Sequence, residues 1–371
     1  MNRAIEFSVS FHPRRGDSAL AARLAREIEG EVLFDAASRG RYSSDASIYQ
    51  VEPVGVVVPK SERDARIAIQ IAAEEGVPVL ARGAGTSQCG QTVGAALVID
   101  TSKYLNRLVA LDPANRTAVV EPGLVLDRLN ALLKPHGLWF PVDVSTSAQA
   151  TLGGMAGNNS CGSRSIAYGN MVHNVLAIDA LLADGSEYRF GPSAEVEAAP
   201  APYRELVARI HAIAGREAGE IAGRWPTVLR HVQGYNLDMV TPDAPHNLAQ
   251  LLVGSEGTLA WSQRIHLKLS PLPAHKALGV CHFDSFSSAM QAPQHIVRLC
   301  PAAVELVDAT MIGLARANPV FRPVTEKFIR GEPKAILLVE FAGDAREAQA
   351  QKLKRLTELM ADLGHPGSVI E

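Results

Sequence analysis

The sequence predicts an α+β protein made of a helical lead-in over residues 1–50, a first domain over residues 51–272 and a second domain over residues 273–371. The second domain alternates apolar strand and helix segments, a pattern typical of helices on one face of a small sheet. In the first domain, Asp184 and Gly185 separate two apolar runs, and this pair favours the tight turn of a β-hairpin. The stretch SPLPAHK marks the boundary between the two domains.

The elements before residue 140 are predicted from apolar periodicity and from capping residues. Ser61, with Asp64 three residues later, forms an imperfect capping box at the start of a helix. This helix keeps Ile67 and Ile71 on one side and ends at Gly76. The other elements expected here are a helix over 18–29, strands over 55–58, 77–81 and 95–100, a strand pair over 107–111 and 117–121, and a helix over 125–134.

After residue 170 the sequence predicts a hairpin, a mostly helical or irregular region and then the alternating second domain. The expected elements are strands over 175–182, 186–190 and 260–269, then strand 276–283, helix 285–299, strand 303–308, helix 309–317, strand 335–342 and helix 345–363. The final residues, GSVIE, begin a further strand, and a sheet rarely ends one strand short. We therefore expect the chain to be an N-terminal fragment whose second domain is truncated.

The composition argues against several classes of protein. Of the 371 residues, 47% are apolar and 20% are charged, which is the range of a folded globular protein rather than a disordered chain. The 36 basic and 39 acidic side chains give a net charge of −3, which offers no positive field for a nucleic acid. No apolar run approaches the roughly 20 residues of a membrane span, and the opening MNRAIEFSVSFHPRRG lacks the apolar core of a signal peptide.

The four cysteines, Cys89, Cys161, Cys281 and Cys300, are far apart and form no CxxC pair. This spacing argues against a zinc site, an iron–sulfur cluster and a disulfide framework. It suits a reducing compartment, so we expect a cytoplasmic protein.

Residues 82–90, the first glycine loop, follow a predicted strand and place several backbone N–H groups where they can bind one anion. The GxGxxG dinucleotide fingerprint fails because Gln88 occupies the position of its third glycine, and the next residues favour a strand over a helix. The P-loop pattern fails because Gln91 stands where the lysine is required and carries no charge.

Residues 151–163, the second glycine loop, are rich in Gly, Ser, Thr and Asn. A pyrophosphate nest shared between the two glycine loops is the third interpretation, with glycine wherever a flat polar ring approaches the backbone. The alternative is that each loop is only a tight turn. The short segment Glu121-Pro122-Gly123 in the same domain favours the cofactor site.

Several short motifs occur in a fixed order along nearly the whole chain. They are PxxVVVP (53–59), RGAGTS (82–87), VEPG (120–123), PVDVSTSAQATLGG (141–154), NNSCGS (158–163), YGN (168–170), ADG (183–185) and VGSEGTLA (253–260). This set resembles the PCMH-type FAD-binding half of the FAD-linked oxidases related to vanillyl-alcohol oxidase, in the branch of the D-lactate, glycolate-oxidase and D-2-hydroxyglutarate dehydrogenases. VELVDATMIGLAR (304–316) and ILLVEFAGD (336–344) resemble the substrate-side cap domain of that branch.

The resemblance implies two α+β subdomains that clamp FAD, followed by a partial ferredoxin-like α+β cap domain. Some relatives tether the flavin to a histidine in the first glycine loop, whereas this chain has Thr86 and Ser87 there, so we expect non-covalent FAD. The residues that the resemblance assigns to the cofactor are Arg82, Gly83, Ala84, Gly85, Thr86, Ser87, Gly90, Gln91, Pro122, Gly123, Pro141, Ser145, Thr146, Thr151, Gly153, Gly154, Asn158, Asn159, Cys161, Gly162, Ser163, Tyr168, Gly169, Val175, Glu256, Gly257 and Ile265.

The resemblance also implies oxidation of a D-2-hydroxy acid, such as D-lactate, glycolate or D-2-hydroxyglutarate, by hydride transfer to flavin N5. The histidine-rich metal motif and the cysteine-rich iron–sulfur segments of larger relatives do not occur in this sequence, so no catalytic residue and no metal ligand is assigned. A C-terminal continuation that carries such modules is expected. The alternative function is a flavin-binding fragment or subunit without turnover of its own. We expect a small 2-hydroxy-acid substrate, an electron acceptor other than NAD, no nucleic acid, and a cytoplasmic or membrane-peripheral location.

A few single residues give further, less specific signals. Arg164 is expected either to bind a phosphate or substrate carboxylate or to be a solvated surface residue. His173 and His266 are expected to be structural histidines in apolar surroundings. Glu256 is expected to orient a loop by accepting backbone N–H bonds, and Glu305 to shape the cap domain.

Overall fold

The computed structural model describes residues 14–228, 230–244 and 247–371, so residues 1–13 of the expected lead-in lie outside the described residues. Within these ranges the chain forms a four-stranded sheet, a five-stranded sheet, a short two-stranded pair and a second four-stranded sheet. No helix in the same ranges combines the length and the apolar character that crossing a membrane requires.

The first subdomain is a mixed four-stranded sheet with helices packed against it. Its strands run in the order β1-β2-β4-β3, with β1 antiparallel to β2 and the other pairs parallel. The bounds are β1 (Glu31–Leu33), β2 (Gly55–Val58), β3 (Val79–Arg82), β4 (Leu97–Asp100), α1 (Ser18–Glu27), α2 (Ala36–Tyr42) and α3 (Glu62–Glu74).

The described part of the lead-in belongs to this first subdomain, since its strand β1 pairs with β2. Leu20 and Leu24 of α1 are buried in one apolar cluster with Val57 of β2 and Ala68 of α3. The helix expected over 18–29 is present, whereas β1 and α2 had no counterpart among the expected elements. The expected cap of α3 is also present, because the Ser61 hydroxyl accepts from the amide of the third helical residue at 3.1 Å.

The second subdomain is an antiparallel five-stranded sheet in the order β5-β6-β10-β8-β9, beside the separate pair β7-β11. The strands are β5 (Leu108–Asp112), β6 (Thr117–Val120), β7 (Leu138–Trp139), β8 (Val175–Leu181), β9 (Glu187–Phe190), β10 (Trp261–Lys268) and β11 (Ser270–Pro271). The helices are α4 (Leu126–Leu133), α5 (Leu152–Asn158), α6 (Ser165–Tyr168), α7 (Met171–Asn174), α8 (Ala201–Arg216), α9 (Ala218–Arg224) and α10 (Ala249–Leu252). Strands β8 and β9 form the hairpin expected at Asp184 and Gly185, and Gly185 adopts φ +83° in its turn.

The second glycine loop is not a simple loop, because its first half is the helix α5. The side chain of Thr151 caps this helix by accepting from the amide of Gly154 at 3.4 Å. Leu152, Met155 and Ala156 recur at helical spacing and are buried, which explains why a glycine-rich stretch is helical here. The helix ends at Asn158, and the next residue, Asn159, adopts the left-handed conformation with φ +52°.

The two subdomains meet along the end of the second sheet. Leu181 of β8 and Trp261 of β10 belong to the same buried cluster as residues of the first sheet. Ion pairs add to this contact, since Arg264 Nε lies 2.7 Å from an oxygen of Glu62 at the start of α3. The carboxyl end of β3 and the amino end of α5 are thereby held close together.

The cap domain has the ferredoxin-like strand order β13-β14-β12-β15, with antiparallel neighbours throughout, as expected. Its elements are β12 (His275–Phe283), β13 (Ala303–Asp308), β14 (Ala335–Gly343), β15 (Val369–Ile370), α11 (Phe286–Gln291), α12 (Pro293–Ile296), α13 (Ala309–Ala317), α14 (Arg322–Phe328) and α15 (Arg346–Asp362). The expectation that helices cover only one face is wrong. Residues of α11, α12 and α15 pack on Phe283 and Phe341, whereas Ile312 of α13 packs on Val280 and Ile336 on the other face.

Candidate functional site

The two glycine loops line one cavity of about 290 Å³ between the two subdomains. Gly83 follows β3 directly, and Thr151 caps α5 on the opposite wall. A Cβ atom built on Gly83 would lie 2.3 Å from the Oγ1 of Thr151. The two segments therefore come into direct contact because Gly83 has no side chain, and the interpretation of a shared nest is compatible with this geometry.

Backbone amides supply the polar lining of the first glycine loop. Within the described part of the chain, the N–H groups of residues 83–87 donate no hydrogen bond. All five residues line the cavity, and Gly85 adopts φ +68°, which favours glycine. Consecutive free amides in such a turn form an anion-binding concavity. This arrangement fits a group with a pyrophosphate.

Most of the residues that the sequence assigned to the cofactor line this cavity. They are Arg82, Gly83, Ala84, Gly85, Thr86, Ser87, Gln91, Pro122, Ser145, Thr146, Thr151, Gly153, Gly154, Asn158, Asn159, Cys161, Glu256 and Gly257. Sequence reasoning missed other residues of the same wall, among them Thr92, Thr101, Val144, Val232, Ser255, Trp261 and Ser262. Val144 and Ser255 lie inside two of the motifs, and Thr92 directly follows the assigned residue Gln91, so their position in the sequence was an available signal. Val232 carried no such signal.

The remaining assigned residues lie elsewhere. Gly162 and Ser163 line a neighbouring cavity. Ile265 and Val175 are core residues of β10 and β8, at 0% and 3% exposure. The others, Gly90, Gly123, Pro141, Tyr168 and Gly169, are outside the described lining of both cavities. Close packing explains the glycine at position 123, because a Cβ atom there would lie 2.1 Å from a backbone oxygen of Thr101.

Glu256 joins three segments of the cavity wall. Its Oε1 accepts from Gln91 Nε2 at 3.2 Å and from Asn158 Nδ2 at 3.0 Å. The expectation that Glu256 accepts backbone N–H bonds is therefore wrong, since both donors are side-chain amides. Desolvation at the cavity wall raises the pKa of the Glu256 carboxyl, and the two hydrogen bonds only partly oppose that rise.

A second cavity of about 560 Å³ continues from the first toward the cap domain. Val144, Ser145 and Cys161 line both cavities. From the cap domain, Glu305 of β13 contributes to the wall. The two cavities therefore adjoin, with free amides lining the first and a cap residue lining the second, and together they offer room for an extended ligand.

Arg164 connects the second glycine loop to the cap domain. Its Nε and Nη2 donate to the two carboxylate oxygens of Glu340 on β14 at 3.1 and 2.7 Å, and its Nη1 donates to Asp143 at 3.2 Å. The hydrogen bond with Glu340 chiefly raises the pKa of Arg164. The guanidinium also lies 5.8 Å from the centre of the Trp139 ring. Arg164 is thus not a solvated surface residue.

The two histidines that were expected to be structural have partners outside the described lining of the cavities. His266 Nε2 lies 3.0 Å from Asp179 on the neighbouring strand, and His173 Nδ1 accepts from the amide of Asn170 at 3.0 Å. Burial lowers the pKa of His173. Among the described residues, no group of three or more His, Cys, Asp or Glu side chains is arranged to hold a metal ion.

Two families match the chain in succession. Residues 53–191 match the family described as FAD binding domain, and residues 272–367 match the family described as FAD linked oxidases, C-terminal domain. The first match contains both glycine loops, and the second contains the cap elements from β12 to α15.

Curated relatives are similar over most of the chain. The D-2-hydroxyglutarate dehydrogenase of Pantoea ananatis is 34% identical over 91% of this chain, and that of Escherichia coli is 32% identical over 92%. The glycolate oxidase subunit GlcD of Bacillus subtilis is 28% identical over 85% of this chain. The chain covers 34%, 35% and 58% of these three proteins, so it spans about a third of the length of the first two.

The solved structure of alkyldihydroxyacetonephosphate synthase has the same fold, with a TM-score of 0.69 at 15% identity. The superposition covers 98% of this chain and 62% of that protein. The free amides, the paired cavities and the two successive family matches agree with one another. Residues 53–191 therefore belong to the FAD binding domain family and residues 272–367 to the family of the C-terminal domain of FAD linked oxidases, and the cofactor is FAD.

Proposed function

We propose that this chain forms the FAD-binding part, with part of the substrate wall, of an enzyme that oxidises a D-2-hydroxy acid such as D-lactate, glycolate or D-2-hydroxyglutarate. The observation that carries the proposal is the second cavity, which adjoins the first along three shared residues and reaches β13 of the cap. The names of the curated relatives supply the substrate class.

The amides of residues 83–87 would hold the pyrophosphate, and Val144, Ser145 and Cys161 would contact the isoalloxazine, since they line both cavities. When bound, the flavin supplies the hydride acceptor. Thr86 and Ser87 have no group that commonly forms a covalent link to flavin, so FAD is held by non-covalent contacts. Denaturation of the purified protein should then release all of its flavin into solution.

Two arginines beside the second cavity are candidates to bind the substrate carboxylate. Arg164 is already engaged by Asp143 and Glu340. Arg230 donates to the carbonyl of Gly162 at 3.1 Å and lines the same cavity. We favour Arg230, because a planar guanidinium with remaining N–H donors matches a carboxylate.

We further propose an electron acceptor other than NAD and a cytoplasmic location, either free or peripheral to a membrane. All four cysteines are free thiols, which agrees with a reducing compartment. A C-terminal continuation with metal and iron–sulfur modules remains part of the proposal, because the chain spans about a third of the D-2-hydroxyglutarate dehydrogenases it matches.

Anaerobic reduction of bound flavin tests the proposed activity. The purified chain, saturated with FAD, should lose its flavin absorbance when D-lactate, glycolate or D-2-hydroxyglutarate is added, and should keep it with L-lactate or L-2-hydroxyglutarate. A chain that binds FAD and bleaches with none of these acids contradicts turnover by this chain alone.

That outcome would support the second candidate, a flavin-binding part without its own turnover. Two observations favour it. Among the described residues that line the two cavities there is no histidine and no lysine, and the chain spans only part of its relatives. Adding the continuation or partner would then restore bleaching with the same bound flavin.

Glu256 should weaken FAD binding electrostatically at neutral pH, because its carboxylate lines the same cavity as the pyrophosphate site. Glu256→Gln keeps an acceptor for Gln91 and Asn158 and removes the charge, so we expect it to bind FAD a few times more tightly. The pKa of this carboxyl is raised, so wild-type Glu256 becomes neutral as the pH falls through that value. The difference between the two proteins should shrink accordingly, and fluorescence titrations at several pH values measure it.

The exposed Glu347→Gln, in the first turn of α15, is the matched control and should leave FAD affinity unchanged at every pH. An unchanged affinity in Glu256→Gln would show that this carboxylate does not face the cofactor's phosphates.

A further inference from the structure

Residues 44–50 form a closed loop between α2 and β2. The amide of Val51 donates to the carbonyl of Ser43 at 2.8 Å, and Ser44 forms a bridge with Gln50. Inside the loop, Asp45 Oδ1 accepts from the amide of Ser47 at 2.8 Å. The described lining of both cavities contains no residue of this 44–50 loop.

The 44–50 loop binds the outer side of the first glycine loop at several points. The amide of Ala46 donates to the carbonyl of Gly85 at 3.0 Å. Asp45 Oδ2 accepts from the hydroxyl of Thr92 at 2.7 Å. Tyr49 packs against Gly90, where a Cβ atom would lie 2.4 Å from its ring.

Arg82 completes this contact from within the fold. Arg82 is only 8% exposed. Its Nη2 donates to the carbonyl of Ser44 at 2.9 Å, and its Nη1 donates to the carbonyl of Thr92 at 2.8 Å. The guanidinium therefore joins the start of the 44–50 loop to Thr92, two residues beyond the first glycine loop. A side chain at Gly85 would collide with it, since a Cβ atom there would lie 2.5 Å from Arg82 Nη2.

These contacts determine which way the peptide groups face. In a planar trans peptide the carbonyl and the following N–H point in opposite directions. Because Ala46 binds the carbonyl of Gly85, the N–H of Thr86 is directed away from the 44–50 loop, and Thr86 lines the cavity. The hydrogen bond to the Gly85 carbonyl thus directs the N–H of Thr86 toward the anion site.

We propose that Asp45 is a positioning residue for the cofactor: through Thr92, Ser47 and the adjoining Ala46 it holds the first glycine loop with its amides directed at the cavity. Arg82 acts in the same way from the inner side. The inference rests on the proposed placement of the pyrophosphate, and Asp45 contacts the segment that carries the phosphate site without lining the cavity itself.

Asp45→Ala tests this role. It removes the acceptor of both hydrogen bonds, and we expect the affinity of the apoprotein for FAD to fall about tenfold. The affinity for ADP, which shares the pyrophosphate and lacks the flavin ring, should fall in the same proportion. Asp45→Asn retains an acceptor for Ser47 and a polar partner for Thr92, so it should bind both ligands within about twofold of wild type.

Asp112→Ala is the matched control, because Asp112 makes the same kind of turn contact with the amide of Asn115 at 3.0 Å, outside the described lining of both cavities. It should leave both affinities unchanged. Wild-type FAD affinity in Asp45→Ala overturns the inference, as does an equal loss in Asp112→Ala or an ADP affinity that does not follow that of FAD. A wild-type chain that binds neither ligand would overturn the site itself, which is a different result from a site that binds but does not need Asp45.

Discussion

Replacing Gly83 with alanine is expected to lower the affinity for FAD by about ten- to hundredfold, the cost of a forced contact in a packed site. The added Cβ atom would lie 2.3 Å from Thr151 Oγ1. Thr151 is 2% exposed and caps α5, so it is not free to move aside. The first glycine loop must then shift, and its free amides shift with it. Fluorescence titration of the apoprotein with FAD measures the loss.

Two further variants isolate the cause of this loss. Gly94→Ala, at the end of the same segment, places its Cβ atom 3.6 Å from Leu80, an ordinary contact, and should bind FAD like wild type. The double variant Gly83→Ala/Thr151→Ala removes the colliding oxygen and leaves the next atom at 3.5 Å, so it should recover part of the affinity. Full affinity in Gly83→Ala alone would mean that the two glycine loops separate without cost.

Replacing Arg164 with alanine is expected to lower the free energy of unfolding by about 2 kcal/mol, because it removes the guanidinium from the partly buried carboxylates of Asp143 and Glu340. Only the Glu340 carboxylate keeps another cation, since Lys276 Nζ lies 3.9 Å from it. The three side chains are only 18–24% exposed, so solvent screens them weakly. The loss should appear in urea unfolding at neutral pH. It should be accompanied by independent unfolding of the cap domain, since Arg164 links the second glycine loop to β14.

The exposed ion pair of Arg216 with Glu217 supplies the control, with side chains 70% and 46% exposed. Arg216→Ala should change the free energy of unfolding by less than about 0.5 kcal/mol. In a double-mutant cycle, Arg164→Ala combined with Glu340→Gln should cost less than the sum of the single changes. Additive losses would show that Arg164 and Glu340 are not coupled.

Features set by neighbouring residues could be predicted from the sequence. The cap at Ser61, the hairpin at Asp184 and Gly185, and the placement of glycine after a strand each depend on a few adjacent residues. The shared cavity was also predictable, because two glycine-rich segments with no bulky side chains have few other uses in one domain. The family motifs predicted the ferredoxin-like order of the cap, although β15 has only two residues.

Features set by distant residues could not be predicted in this way. Arg164 and Glu340 are 176 residues apart, and nothing near either residue indicates the other. The carboxylate of Glu256 can accept hydrogen bonds from backbone amides as well as from side-chain amides. Only the fold brings the side chains of Gln91 and Asn158 to it. The helix α5 was not predicted because glycine disfavours a helix, although Leu152, Met155 and Ala156 have helical spacing. Tertiary packing decides such segments against their intrinsic propensity.

The walls of the first cavity come from chain segments between Ala81 and Ser262, and its outer support begins at Ser44. During translation the anion-binding turn leaves the ribosome early, but Trp261 and Ser262 at the start of β10 emerge about 170 residues later. Domains fold as units as their last elements appear. We therefore expect flavin to bind only after β10 has been synthesised, because the cavity lacks part of its wall until then.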